Sequence, residues 1–367
     1  MGYPFAVEFT EFASKVKNIP AKQVTTVKGN PNQSKHLETA KTSVLDLDLD
    51  FVNLRAEEYA DSSRIPTSVT YGTPLQDALR RDITINALFY NVHTRMVEDH
   101  CGTGIEDLEK GIIRTPLPPK QTFLDDPLRV IRSIRFASRF GFDLVQELED
   151  CVRSPEIQAA LTQKITRERV GEEIDKMMTG RDPLRSISLI DSLVLFSAIF
   201  HIPSSVMLSA TPTSSAKSVA AASILRTFLQ PELASFSHSP LHPLLTAKIA
   251  SSPSAIARLY LACALTPYEG ITYKDAKQRV RPAVEVAIRE GLKVGTKNHY
   301  LDGIPALFDA AQLIRKRFKS AYHHVAAYRR PISRTSATPV RGPQSSGGFS
   351  LDLFRALLSR PRARSLL

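Results

Sequence analysis

The chain has 367 residues, enough for two or more domains, and 43% of them are apolar, which can fill hydrophobic cores. Its formal net charge of +11 suits a polyanionic partner, either nucleic acid or an anionic membrane surface. The three cysteines lie far apart and in no Cys-x-x-Cys pattern, which excludes a disulfide framework and a cysteine zinc site and indicates a reducing intracellular compartment.

No segment has the features of a targeting signal or a membrane span. The first six residues place no basic residue before the apolar ones, as a secretory signal would, and Ala6 stands where a myristoylation motif has Ser or Thr. The most apolar helical stretch, 187–202, contains Asp191 and is too short to cross a bilayer. We therefore expect a soluble protein with no membrane partner.

The predicted elements change in character along the chain. Residues 5–16 place Phe5, Phe9, Phe12 and Val16 on one face of a helix. Segments of β type follow at 24–28, 36–44 and 46–55. Helical periods dominate from about residue 75 to 200 and again from 241 to 327. The sequence thus predicts a mixed first third followed by an all-α remainder.

Two segments differ from this pattern. Residues 203–240 are rich in Ser, Ala and Pro with weak periodicity, which favours a surface insertion or a mobile connection. Residues 330–367 begin with a Pro-, Ser- and Gly-rich run, which predicts a mostly disordered tail.

An arginine stripe is predicted on one helix. At 100° per residue, Arg129, Arg132, Arg135 and Arg139 lie within about 120° of each other, opposite an apolar face. An ordinary solvated helix would show the same spacing. The guanidinium fork binds phosphates and base edges, and no glutamates are interleaved, so we favour an anionic ligand.

Two acidic patterns leave alternatives open. Arg80-Arg81-Asp82, with Asn86 one helical turn after Asp82, is either part of a ligand site or a salt-bridged helix end. Asp46, Asp48 and Asp50 alternate and would share a strand face, where a divalent cation would relieve their repulsion. The other interpretation, which we favour for Asp46 and Asp48, is a turn leading into a strand.

Several of these runs resemble, in order, motifs of the class II tRNA nucleotidyltransferases, the CCA-adding enzymes, in their fungal form. The head-domain runs are Lys35–Ala40, Asp50–Arg55 and Arg80–Ala87. The hinge, nucleotide-reading and last neck runs are Gly104–Leu108, Asp125–Arg129 and Glu168–Glu173. Lys293–Tyr300 extends a weaker likeness into a C-terminal body.

The resemblance implies an α+β fold, in which a truncated polymerase-β-like nucleotidyltransferase head is followed by an all-α neck and body. The implied domains are a head at 1–115, a neck at 116–202, an insertion at 203–240, a tRNA-binding helical body at 241–329 and a tail at 330–367.

The implied activity is addition of C, C and A to the 3′ end of tRNA, with CTP and ATP as substrates and no nucleic-acid template. Asp126 and Arg129 match the neck residues that present hydrogen-bonding edges to the base. Further matches to nucleotide-binding positions are Arg81, Asp82, Asn86, Arg132 and Arg135, and matches to the neck motif are Glu168, Arg169 and Glu173. Separately, the basic run Arg315, Lys316, Arg317 and Lys319 is a candidate RNA-binding site, or else scattered solubilising charge.

The sequence departs from the family at the metal site. Asp50 matches the third catalytic carboxylate, a metal ligand. The family's Gly-Gly turn and the Asp-x-Asp pair for two Mg²⁺ ions do not precede residue 36. We therefore expect the chain to begin inside the head domain, to bind Mg²⁺ weakly or not at all, and to transfer nucleotides poorly.

Other functions remain open at this point. One alternative is a catalytically deficient fragment or paralogue that retains nucleotide and tRNA binding. A bacterial-type poly(A) polymerase shares the head and neck, but the runs Lys35–Ala40 and Asp50–Arg55 argue against it. The expected compartment is the cytoplasm, nucleus or mitochondrion; DNA is not an expected partner, and the sequence does not determine the oligomeric state.

Overall fold

A computed structural model of the chain describes residues 2–27, 39–58, 68–230 and 243–328. The chain divides into a large unit, Met1–Ile314, and a second unit, Arg315–Leu367, of which residues up to 328 are described. The predicted tail and most of the Lys35–Ala40 run lie outside the described residues.

The strands are short. They are β1 Thr25–Val27, β2 Thr39–Val44, β3 Leu47–Phe51, β4 Arg55–Glu58, β5 Ser68–Tyr71, β6 Phe89–Asn91, β7 Met96–Glu98, β8 Ile112–Ile113, β9 Asp143–Leu144, β10 Thr272–Lys274 and β11 Val280–Pro282. In the described residues β1–β2–β3 form an antiparallel sheet, β8 pairs with β9 in parallel, and the other pairs, β4–β5, β6–β7 and β10–β11, are antiparallel.

Helices dominate after residue 100. They are α1 Gly2–Lys15, α2 Pro74–Leu79, α3 Gly104–Lys110, α4 Pro119–Asp125, α5 Leu128–Phe140, α6 Gln146–Arg153, α7 Pro155–Lys164, α8 Arg167–Met178, α9 Pro183–Ser192, α10 Phe196–Ile199, α11 Ala216–Leu229, α12 Pro243–Ala250, α13 Pro253–Ala264, α14 Ala283–Val286 and α15 Tyr300–Tyr328. Short 3₁₀ helices span Thr84–Ala87 and Thr266–Tyr268, and a π-helix spans Ala287–Leu292. The predicted α+β class is confirmed.

The β2–β3 hairpin is closed by a two-residue turn. Leu45 and Asp46 both have positive φ, the backbone that a tight hairpin turn requires. Asp46 therefore lies in a turn, as the favoured interpretation predicted. The turn also sets the register, which pairs Lys41 with Asp50 across the two strands.

Helix α1 packs on this hairpin, but not with the whole face that its apolar spacing predicts. The Phe9 ring lies 5.6 Å from the Phe51 ring, and Ala6 and Ala13 are buried. Phe12 is 51% exposed and Val16 is 63% exposed. The two alanines are buried while three of the four predicted apolar residues are exposed, so the predicted face was only partly right.

Helix boundaries follow local chemistry. The side chain of Thr73 accepts a hydrogen bond from the backbone N–H of Gln76 and starts α2, and Asp182 and Ser252 cap α9 and α13 in the same way. Gly141 ends α5 in the left-handed conformation that glycine adopts at low cost. These caps set the first residue of α2 and α9 and the last residue of α5, and so the positions of the charged side chains on these helices.

One buried cluster joins helices α4 to α11, α13, α14 and the start of α15, and its members include Phe123, Ile131, Ile134, Ile174 and Leu261. Gly171 on α8 lies against the π-helix, where a Cβ atom would approach the Leu292 carbonyl oxygen to 1.8 Å. The glycine of the Glu168–Glu173 run is thus required by close helix packing.

The segment 203–240 differs from its expectation. Its described part contains α11, whose Ser218 and Ala222 are buried and which packs against α9 and α13. The weak periodicity that favoured a surface connection arises because Ala and Ser carry little hydrophobicity but allow helices to approach closely. In the described residues, no helix combines the length and hydropathy that crossing a membrane requires.

Candidate functional site

Asp77 organises the start of the site. It is 1% exposed, and its carboxylate accepts hydrogen bonds from the side chains of Arg80 and Arg81 and from the backbone N–H of Arg55. Burial alone would raise the pKa of Asp77, but the two guanidinium groups hold it below its ordinary value. Asp77 therefore stays ionised and orients both arginines.

Asp82 links this segment to α5. It is 5% exposed, and its carboxylate accepts from the Asn86 amide at 3.0 Å and from the Arg132 guanidinium at 2.6 and 2.7 Å. Burial raises the pKa of Asp82, but Arg132, Asn86 and Arg129 together lower it below its usual range. The predicted contact between Asp82 and Asn86 is present, on a turn that enters a 3₁₀ helix.

The predicted base-reading residues lie at the α4–α5 junction. Arg129 is 8% exposed and donates to the backbone carbonyls of Arg80 at 2.6 Å and Thr122 at 3.4 Å. Asp126 follows α4 directly and accepts from the Arg169 guanidinium at 2.8 and 3.3 Å. Both side chains are thus held by groups distant in sequence, and Arg169 of the neck motif holds one of them.

The next arginine on the stripe pairs with α8. Arg135 donates to the carboxylate of Glu173, which is 3% exposed and also accepts from Lys176 at 2.9 Å. Burial would raise the pKa of Glu173, but hydrogen bonds from Lys176 and Arg135 lower it below its ordinary value. Arg135 and Glu173 therefore tie α5 to α8.

These contacts bring together most of the predicted nucleotide-binding residues. Arg129 donates to the backbone carbonyl of Arg80, and the side chains of Arg80 and Arg81 both donate to Asp77. Arg132 and Asn86 both donate to the carboxylate of Asp82. The side chains of Arg81 and Arg132 are 32% and 31% exposed, so parts of both guanidinium groups can still reach an anion. The arrangement can orient arginine forks toward a phosphate or a base edge.

Other predicted residues lie apart from this group. Glu168 is exposed on the first turn of α8, and Arg315, Lys316 and Arg317 are exposed on α15. The side chain of Lys319 lies outside the described residues. The structure leaves all of these roles as predictions.

Asp50 has a different environment. Its side chain is 58% exposed and pairs with Lys41 at 3.1 Å across the β2–β3 hairpin. Among the described residues, no three His, Cys, Asp or Glu side chains lie close enough together to hold a metal ion. The described carboxylates therefore do not fit a two-Mg²⁺ site, and we derive no step of the reaction through one.

Sequence reasoning missed three structural carboxylates. Asp77 precedes Arg80 and Arg81 by three and four residues, a helical spacing that could have revealed it. Asp107 accepts from Thr84 at 2.7 Å and from Arg114, and Asp175 accepts from Asn298, Lys297 and Tyr300. The Thr84 and Asp175 contacts join distant segments and have no local signal.

Comparison with known proteins finds similar sequences over part of the chain. Residues 7–114 match the family model of the poly A polymerase head domain. The mitochondrial CCA tRNA nucleotidyltransferase of Saccharomyces cerevisiae is 54% identical over 180 residues, which are 48% of this chain and 33% of that protein. The tRNA nucleotidyltransferase cca2 of Schizosaccharomyces pombe is 51% identical over 163 residues, which are 44% of this chain and 34% of that protein.

The likeness also extends to the fold. A solved tRNA-processing enzyme in an apo form matches 83% of this chain and 64% of that one, with a TM-score of 0.53 and 17% identity. This chain spans about a third of the length of the curated relatives it matches. Residues 7–114 are therefore similar to a poly A polymerase head domain, and nearly half of the chain is similar to fungal tRNA nucleotidyltransferases.

Proposed function

We propose that this chain acts in template-independent addition of CCA to the 3′ end of tRNA, as a nucleotidyltransferase that uses CTP and ATP. The names of its relatives in Saccharomyces cerevisiae and Candida glabrata support this activity. The observation that carries the proposal is the α4–α5 junction, where Asp126 and Arg129 are both held in place, by Arg169 and by two backbone carbonyls.

The chemistry of this pair suits C and A. Arg129 uses two of its five N–H donors on carbonyls, which leaves donors for a ring nitrogen or a carbonyl oxygen of a base. Asp126 can accept from an exocyclic amine. C and A both carry such an amine, whereas G and U have a carbonyl oxygen at that position, which a carboxylate would repel. This pair would therefore select CTP and ATP over GTP and UTP.

The partner in this proposal is tRNA, and the compartment is intracellular: cytoplasm, nucleus or mitochondrion. The word mitochondrial belongs to the Saccharomyces cerevisiae relative, so it favours one compartment without deciding it. The exposed Arg315, Lys316 and Arg317 on α15 are proposed phosphate contacts. Neutralising them together with Lys319 should weaken tRNA binding and leave ATP binding unchanged.

The direct test is a transfer assay. A tRNA transcript that lacks its CCA end is incubated with the chain, CTP and ATP, and the product is resolved on a sequencing gel. Extension by C, C and A supports the proposal, and a long run of A would instead indicate a poly(A) polymerase. Binding of CTP and tRNA without any extension would support the catalytically deficient alternative, and absence of both would contradict the proposal.

A further inference from the structure

A groove of about 460 Å³ lies where α5 and α8 end, and it is lined by basic side chains. Four cations line it: Arg135, Arg139, Lys176 and Arg181. The volume lies within the range of small-ligand sites. The groove belongs to the large unit and lies at the opposite end of α5 from the base-reading junction.

The charges in this groove are not balanced by the protein. Arg135 and Lys176 share the single buried carboxylate of Glu173. Arg139 and Arg181 are exposed, and among the described residues no carboxylate lies within ion-pair distance of either. The groove therefore holds an excess of three positive charges.

Helix dipoles account for only part of this excess. A cation in the last turn of a helix is favourable, and Arg139 and Lys176 occupy such positions on α5 and α8. Arg181 lies after α8, on the loop to α9, and adds a further charge to a groove already positive. The guanidinium group of Arg139 lies 5.8 Å from the centre of the exposed Phe140 ring, a weak contact that leaves its N–H donors free for an anion.

Position along α5 separates the groove from the base-reading site. Arg139 follows Arg129 by ten positions, which at 1.5 Å per residue is about 15 Å along the helix axis. One base cannot contact both arginines. A polynucleotide whose 3′ end reaches the α4–α5 junction has further phosphates that can reach the groove.

We propose that Arg139 and Arg181 form a phosphate-binding groove for the tRNA backbone, a contact site separate from the nucleotide-reading junction. This inference rests on the proposed function, because it takes tRNA as the polyanion. Each phosphate neutralised by an arginine releases counterions, so the contacts contribute to the salt dependence of tRNA binding and not to nucleotide selection.

The test removes the two unpaired charges by Arg139→Gln with Arg181→Gln. Its matched control is Arg95→Gln with Lys217→Gln, which removes two exposed charges that have no ion pair among the described residues and lie outside the groove. Binding of a tRNA that lacks CCA is measured by fluorescence anisotropy from low to high KCl, and binding of ATP and CTP is measured by calorimetry. Circular dichroism confirms that both variants fold.

The groove variant should bind tRNA roughly tenfold more weakly at moderate salt, with a salt slope flatter by about 1.4 to 1.8, while ATP and CTP affinities stay unchanged. The control should retain most of the tRNA affinity. An unchanged slope, an equal loss in the control, or a loss of nucleotide affinity would each overturn the proposal. If the unmodified chain binds nucleotides but no tRNA, the proposed function itself is contradicted. That result differs from failure of the groove proposal, in which the unmodified chain binds tRNA and the groove variant binds it equally well.

Discussion

The two ends of α5 carry the same residue type in contrasting environments. At the start of the helix, Arg129 donates to the backbone carbonyl of Arg80, and Arg132 donates to the buried carboxylate of Asp82. At its end, Arg139 is exposed and, within the described part of the chain, no carboxylate lies within ion-pair distance. An arginine held by protein acceptors can orient a ligand with fixed geometry, whereas an unpaired one attracts an anion without specifying its identity. We therefore propose that the start of α5, with Arg129 and Arg132, is a recognition end and that its last turn, with Arg139, is an attraction end.

The largest expected effect is acid destabilisation through the buried carboxylates that pair with the arginines of α5 and of the turn after α2. Asp77, Asp82 and Glu173 all have pKa values lowered in the folded protein. The stabilisation is therefore present above the unfolded values of 3.8 for Asp and 4.5 for Glu, and it is lost as pH falls through the lower folded values. The melting temperature, followed by circular dichroism from pH 7 to pH 3, should fall steeply at the acid end. Asp82→Asn should make that fall shallower, and an unchanged profile would contradict the assignment.

Breaking one ion pair should have the next largest effect. Asp82→Ala leaves Arg132 without its carboxylate in a mostly buried setting, which should lower the free energy of unfolding by about 3 kcal/mol. Asp50→Ala is the control, because its pair with Lys41 is exposed and should contribute less than about 0.5 kcal/mol. Urea unfolding measures both variants. Equal losses would mean that burial does not distinguish the two carboxylates.

Loss of base selection should follow when the recognition arginine is removed. Arg129→Ala should reduce discrimination of ATP and CTP from GTP and UTP by about 1–3 kcal/mol, the usual contribution of a bidentate pair. Titration with the four nucleotides gives the ranking. Arg139→Ala on the same helix is the control and should keep the ranking intact. If Arg129→Ala also keeps it, Arg129 does not read the base.

The smallest expected effect is on stability at the attraction end. Arg139→Ala removes an exposed side chain that has no ion pair in the described residues, so the free energy of unfolding should change by no more than about 0.5 kcal/mol. Chemical unfolding measures this variant beside Arg135→Ala. The second variant should lose more stability, because Arg135 pairs with buried Glu173. A large loss for Arg139→Ala would show that the contact of Arg139 with the Phe140 ring stabilises the fold, contrary to this expectation.

Sequence spacing by itself determined the local features of this protein. The 3.6-residue period defined α5 and the face that carries its arginines, and the Asp82–Asn86 spacing predicted a contact that the structure contains. The alternation of aspartates around residue 48 indicated a turn and strand, and the turn at Asp46 is present. These features depend on residues a few positions apart, whose geometry the backbone sets.

Only the tertiary structure decided which partner each charge has. Arg129 bonds to a carbonyl 49 residues away, Arg135 to a carboxylate 38 residues away, and Asp175 to an amide 123 residues away. The stripe predicted four arginines facing one ligand, yet packing gave three of them protein acceptors and left Arg139 exposed. The physical reason is that helix periodicity fixes the direction of a side chain, whereas the packing of α5 against α8 and against the turn after α2 fixes what it meets.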